Sequence, residues 1–177
     1  MTEFDPLGIM RRLRDEGVRF VVIGGFAGNL RGTADVTQDL DVCYARDDDN
    51  LERLVQVLRS LDARLRVAIE QDTDLPFQIH PAALRLGDSF TFITSLGDFD
   101  ILATPSGTSG FDDLDRDATT MSLGSDLDVR VASLDDLIRM KRASKRTKDL
   151  LHIEHLAALK RDIEAFRRRN LDPGQGE

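Results

Sequence analysis

A single cysteine, Cys43, occurs in 177 residues, so no internal disulfide can form. That usage suits a reducing cytoplasm. Cys43 lies in an apolar run, where a small packing residue is expected. Long hydrophobic runs are also missing. None approaches the roughly 20 residues of a membrane span, so no membrane partner is expected. The opening stretch, "MTEFDPLGIMRRLRDEG", lacks a basic start followed by an apolar segment, so no secretory leader is expected either. Positive charge is in deficit: 24 Lys and Arg stand against 32 Asp and Glu, a net of −8. That balance argues against a protein that coats nucleic acid generally. Internal repeats and low-complexity linkers are absent. What remains, 41% hydrophobic and 32% charged, is the composition of a soluble globular protein. The length suits one domain, or one with a helical extension.

The charge is uneven. Residues 139 to 169 hold 11 Lys and Arg and 4 Asp and Glu, a net of +7, which leaves −8 − 7 = −15 for the rest. A basic C-terminal segment on an acidic body points to a localised anion site. A solvated pair of helices would give the same pattern.

The periodicity predicts a first helix in "DPLGIMRRLRDEG". Asp5 suits the cap, Pro6 the first helical position and Gly17 the stop. "VRFVVIGG" reads as a buried strand ending at Gly24-Gly25, "FAGNLRG" as a short helix, and "DLDVCY" as the next strand. In "DDDNLERLVQVLRSL", Leu51, Leu54, Val55, Leu58 and Leu61 form one helical stripe behind an acidic N-terminus. "RVAI" suits a short strand. Residues 71 to 88, broken by Pro76 and Pro81, read mostly as loop, with His80 incidental. "SFTFITSLGDFDILATP" reads as a hairpin around "LGD". "TSGFDDLDRDAT" reads as an acidic surface loop, and "MSL" with "LDVRVA" as a further strand pair. In "SLDDLIRMKRAS", Ser133 and Asp136 hold capping-box positions. A last helix is expected from about Thr147 to Arg169, before a frayed "NLDPGQGE". The expected fold is α+β: a small mixed β-sheet flanked by helices, with C-terminal helices. The expected divisions are a core over 1–132, a helical segment packed on it over 133–170, and a disordered tail over 171–177.

"TQDLDV" carries the chemistry. Asp39 and Asp41 are two apart, so on a strand they share a face. Two carboxylates that close repel unless something positive lies between them. A solvated edge is one answer. A divalent metal is the sharper one, because hard cations take carboxylate oxygens. Upstream, Gly24-Gly25 ends a strand before a helix. Glycine there lets a phosphate approach the backbone, and helix N–H groups favour an anion. Downstream, "GDFDIL" places Asp100 between apolar strand neighbours. If that strand lies beside the "DLD" strand, three carboxylates come together next to a phosphate-binding turn. That set suits two-metal phosphoryl chemistry, whose ions lie roughly 3.5–4 Å apart.

This ordered set, "VVIGG", then "TQDLDV", then "FDIL", resembles the DNA polymerase β-type nucleotidyltransferase superfamily. Within it, "GGFAGNLRG", "TQDLDV" and "VASLDDLIRMKRASKRTKDLLHIEHL" resemble the AbiEii/MenT-like nucleotidyltransferases, toxins of toxin–antitoxin pairs. The resemblance spans roughly residues 18 to 160. It implies a mixed sheet flanked by helices, Mg²⁺ with Mn²⁺ as the alternative, an NTP donor, and nucleotide transfer to an acceptor hydroxyl. It implies Gly24, Gly25 and Thr37 around the triphosphate, and Asp39, Asp41 and Asp100 as metal ligands, with Asp100 also the base. Lys141 would meet the phosphates, and Asp149 matches the acid of the family's Lys-Asp pair. Asp98 competes with Asp100 but follows the turn glycine directly. One position departs: relatives often carry Arg two residues before the Thr of this block, where this chain has Asp35. Arg31 is the candidate substitute.

The leading expectation is a metal-dependent nucleotidyltransferase that modifies RNA at the tRNA 3′ end, as the toxin partner of a cognate antitoxin. One alternative transfers AMP to a small hydroxylated molecule of the aminoglycoside type. Another is a non-catalytic nucleotide-binding or antitoxin module. His152 and His155 could ligate zinc only if a third ligand joined them. Lys145 reads as a cation placed near a helix end.

Overall fold

The computed structural model describes residues 3–66, 78–144 and 149–171. Helix α1 (Pro6–Asp15) begins as its sequence predicts. Asp5 accepts the Gly8 N–H at 2.8 Å, and Pro6 fills the first helical position. Strand β1 (Phe20–Ile23) is buried throughout and runs directly into α2 (Gly24–Arg31), which stops at Gly32 in the left-handed conformation. Strand β2 (Asp39–Tyr44) returns antiparallel to β1, with Ile23 opposite Asp41. Helix α3 (Asp48–Ser60) is capped by Asp47, which accepts the Asn50 N–H at 3.1 Å. Its apolar stripe is buried as expected.

Strand β3 is the short Arg64–Leu65. It just precedes the expected "RVAI" strand, whose last three residues lie outside the described ones. The loop expected over 71 to 88 holds a helix in its described part, α4 (Pro81–Leu86). Proline was read as a breaker, but Pro81 stands at the helix start, where its missing N–H has no partner to lose. The His80 ring accepts the Ala83 N–H at 3.2 Å. Strands β4 (Ser89–Thr94) and β5 (Gly97–Leu102) form the expected hairpin, with Gly97 at φ +109°. The "acidic loop" contains α5 (Phe111–Asp117). Asp112 and Asp113 occupy its first turn and Leu114 is its buried anchor.

Strand β6 (Thr119–Ser122) pairs antiparallel with β7 (Asp128–Val131), and β7 joins β1 in parallel. Helix α6 (Leu134–Ser144) follows its predicted cap. Ser133 Oγ accepts the Asp136 N–H at 3.1 Å and donates to Asp136 Oδ2 at 2.8 Å. Helix α7 spans Asp149–Leu171, so it runs through Asn170 and Leu171, two residues past the expected helix end at about Arg169.

The seven strands form one mixed sheet in the order β3-β4-β5-β2-β1-β7-β6. The α+β architecture expected from the sequence is the one observed. Leu40, Val42, Phe99 and Ile101 are fully buried on one face. Tyr44 shares their parity, and its hydroxyl donates to the Leu84 carbonyl at 3.2 Å, which places α4 on that side. Cys43 is buried in the core, where the apolar surroundings push its thiol up to about 12. Its role is packing.

Candidate active site

Three of the predicted acids line up on one face because β2 and β5 run side by side in parallel. Asp39 pairs with Asp98 and Asp41 with Asp100 in the register. All four carboxylates therefore share one face, while the alternate residues between them are buried on the other. The two candidates for third acid then separate. Asp98 is in an ion pair with Arg66. Asp100 lines a cavity of about 500 Å³ together with Asp39 and Asp41, and Asp98 does not.

Gly24 sets the depth of this cavity. Its φ is +69°, and a Cβ built on it would lie 2.0 Å from Asp41 Oδ2. Only glycine lets the strand turn into α2 there while Asp41 stands against the backbone. Gly25 lies next to Thr37, with a built Cβ 3.1 Å from Thr37 Oγ1. Thr37 in turn donates to Asp39 Oδ1 at 2.8 Å, which fixes the first acid from the loop side. Lys141 and Ser144, from α6, line the same cavity. Asp149 opens α7, and its side chain lies outside the described residues, as do Lys145 and Lys148.

The acids stand at strand spacing instead of converging, and among the described residues no three His, Cys, Asp or Glu side chains close into a metal cage. The fit to a divalent cation rests on Asp100. Burial raises its pKa above the ordinary carboxylate range. A hydrogen bond from Thr91 lowers it, the Asp39 charge raises it, and Arg66 and Asp98 add smaller opposed effects. Its Oδ1 is buried and has no hydrogen-bond partner among the described residues. A buried carboxylate oxygen without a donor is costly, and a hard cation is the ligand that such an oxygen suits. Asp39, Asp41 and Asp100 are thus the residues that would hold Mg²⁺ or Mn²⁺.

Two expectations change. Arg31, the candidate substitute for the missing arginine, is not in the cavity lining: its guanidinium donates to the carbonyls of Ala132 and Val131 at 2.9 and 2.7 Å, tying α2 to the end of β7. The two histidines of α7 do have a carboxylate near them. It is Asp35, which lies 2.9 Å from His155 Nδ1. Sequence reading noted Asp35 and the histidine pair separately; their meeting joins positions 120 residues apart. It also missed the apolar part of the wall, Leu137, Met140 and Leu156. Helical spacing marked such positions as core, and the same spacing describes a cavity lining.

No protein-family model and no curated protein matches the sequence. Solved structures do match in fold. A lincosamide antibiotic adenylyltransferase, LnuA, with lincomycin bound, superposes with a TM-score of 0.59 at 14% identity, over 89% of this chain and 99% of its own. The antibiotic-resistance factor ANT(2'')-Ia matches in two structures. Its complex with adenylyl-2''-tobramycin gives a TM-score of 0.52 at 14% identity, over 92% of this chain and 94% of that one. Its solution structure gives 0.51 at 14% identity, over 92% and 89%. The chain shares its fold with these nucleotidyltransferase structures. These neighbours modify or bind antibiotics, so the likeness reaches that fold in general and not AbiEii/MenT-like toxins in particular.

Proposed function

We propose that this protein is a metal-dependent nucleotidyltransferase that moves a nucleotide from an NTP to an acceptor hydroxyl. The observation that carries the reading is the side-by-side register of Asp39, Asp41 and Asp100 beside the Gly24 turn. A divalent cation held by these acids would neutralise the triphosphate and acidify the attacking hydroxyl. The chain's own residues do the rest. The Gly24-Gly25 turn brings backbone N–H groups towards the phosphates. Thr37 keeps Asp39 in place through its 2.8 Å hydrogen bond. Lys141, on α6 in the lining of the same cavity, offsets phosphate charge. Asp100, with its pKa raised, accepts the acceptor's proton. A purely nucleotide-binding module would have no need of the third acid.

Two acceptor classes follow from two observations. The fold neighbours with bound lincomycin or adenylylated tobramycin support a small hydroxylated molecule. The exposed arginines of α6 and α7, Arg142, Arg161, Arg167, Arg168 and Arg169, support a tRNA 3′ end and with it the toxin reading. Arg139 and Lys160 of the same segment are engaged in ion pairs within the protein, with Asp113 and Asp136, and with Asp135, which weakens the charge argument for RNA. The test incubates each α-labelled NTP with tRNA, with aminoglycosides and with lincosamides. Labelled tRNA supports the toxin reading and labelled antibiotic the small-molecule one. RNA binding would weaken steeply with salt. NTP binding without labelling of any acceptor supports the binding module.

A further inference from the structure

Asp98 has no part in the chemistry above, yet it stands on the sheet face that carries the metal-binding acids. Its partner, Arg66, comes from the edge of the sheet. The Arg66 N–H donates to the Thr91 carbonyl at 2.8 Å, which continues the β3–β4 register one residue past the Leu65–Phe92 pair. Thr91 is opposite Asp100 on β5, and Asp100 is opposite Asp41 on β2. Arg66, Thr91, Asp100 and Asp41 therefore form one row across the sheet, and alternation puts their side chains on one face. Arg64, Ile93, Asp98 and Asp39 form the neighbouring row on that face.

The two arginines of the edge strand differ. Arg66 is in an ion pair with Asp98; Arg64 is in none with the four acids among the described residues. The Asp98 side chain is 31% exposed, so burial does not keep it from turning towards a cation held by its neighbours. The ion pair does. The charge on Arg66 also acts beyond Asp98. The Arg66 pKa is raised first by the hydrogen bond to Asp98, with desolvation opposing it, and then by the charges of Asp98, Asp100 and Asp39. At Asp100, burial raises the carboxyl pKa and the Arg66 charge works against that rise. A divalent cation entering between these acids thus meets one positive charge already in place, and like charges repel.

We propose that Arg66 is the built-in counter-cation of this acidic face: it engages Asp98, leaves Asp39, Asp41 and Asp100 to a divalent metal, and loosens the hold of the site on that metal. Arg66 is a positioning residue, acting through Asp98 and through its charge. The inference deepens the metal-dependent reading of the site and rests on it. Its signature is one of sign. Loss of a residue that merely supports the fold weakens metal binding, whereas loss of a counter-cation strengthens it.

The test measures binding of Mn²⁺ alone to the full chain and its variants, followed by the EPR signal of the free ion. The ionic strength is kept at about 0.01 M, where the Debye length is about 30 Å. Arg66→Gln is expected to bind Mn²⁺ about three- to tenfold more tightly, the size of one charge acting on a divalent ion across part of the sheet. Asp98→Asn, which leaves Arg66 without its partner, is expected to bind it more weakly by a similar factor. The double variant Arg66→Gln/Asp98→Asn restores the charge balance and is expected within about twofold of the wild type, as is Arg66→Lys. Arg64→Gln is expected to tighten binding less than Arg66→Gln. Should Arg66→Gln fail to fold, Arg66→Met replaces it. Unchanged or weaker Mn²⁺ binding on loss of Arg66 overturns the proposal. So does an equal gain in Arg64→Gln, because net charge alone would then account for the effect. A wild-type protein that binds no Mn²⁺ instead overturns the metal-dependent reading on which this one stands.

Discussion

Replacing Gly24 with alanine tests how the fold and the chemistry are joined. At φ +69° an L-residue is in the left-handed region, which costs about 1–2 kcal/mol. For a chain of this size that lowers the melting temperature by about 2–8 °C. The added Cβ lands 2.0 Å from Asp41 Oδ2, 2.6 Å from its Cγ and 2.8 Å from its Cβ. The whole carboxylate must therefore move, by roughly 1.4 Å for Oδ2 to reach ordinary contact, and a displacement of even about 1 Å costs on the order of 10²-fold in turnover. Gly25→Ala is the control. Its Cβ would lie 3.1 Å from Thr37 Oγ1 and would not touch Asp41. It is expected to raise the KM for NTP with a much smaller loss of turnover. The assay is nucleotide transfer as a function of Mg²⁺ concentration, with thermal melts in parallel. Gly24→Ala is expected to raise the Mg²⁺ needed for half-maximal rate. Near-full turnover in Gly24→Ala, or a larger turnover loss in Gly25→Ala, would refute the claim that this turn places a metal-binding acid.

Asp100→Ala should reduce transfer by roughly 10²–10⁴-fold, as loss of a general base does, while Asp98→Ala, which releases Arg66, should be much milder; kinetics in the reverse order would move the third acid to the turn. Because burial raises the Asp100 pKa, the folded protein holds that proton to higher pH than the unfolded chain. Its stability should therefore fall as pH rises from the ordinary carboxylate value near 3.9 to the raised one. Asp100→Asn in EDTA should lose that fall and melt higher at neutral pH; an unchanged pH profile of melting would contradict the burial argument. Lys141→Ala should weaken binding of magnesium NTP in titration calorimetry without changing the fold, and unchanged affinity would return Lys141 to a structural role on α6.

Much of this site is legible one strand at a time. The alternation in "DLDVCY" and "GDFDIL" tells which residues share a face, and Ser133 and Asp136 announce the start of α6 before any packing is known. In the sequence Asp98 directly follows the turn glycine; in the fold it is ion-paired with Arg66, while Asp100 lines the cavity. What is not legible is pairing. Nothing local says that β5 lies parallel to β2, or that β7 joins β1 between the hairpin half of the sheet and β6. Those contacts depend on which apolar faces bury one another across long separations. Helices α4 and α5 were missed for a different reason. Each is short, and each begins with residues, Pro81 and the Asp112-Asp113 pair, that mark loops as readily as helix starts. The Asp35–histidine cluster was hidden because its members lie on separate elements, the segment before β2 and helix α7, that only tertiary packing brings together.

The most direct test of the central claim follows the label from α-labelled NTP, with Mg²⁺ present, in the wild-type protein and in Asp39→Asn and Asp41→Asn, against tRNA, aminoglycosides and lincosamides in the same experiment. Wild-type protein should place label on one acceptor class, and each variant, still folded and at least as heat-stable in EDTA because a like charge has been removed, should place none. Label transferred at near-wild-type rate by either variant, or no transfer by the wild type to any acceptor despite binding of magnesium NTP, would contradict the assignment of these acids to metal-dependent nucleotidyl transfer.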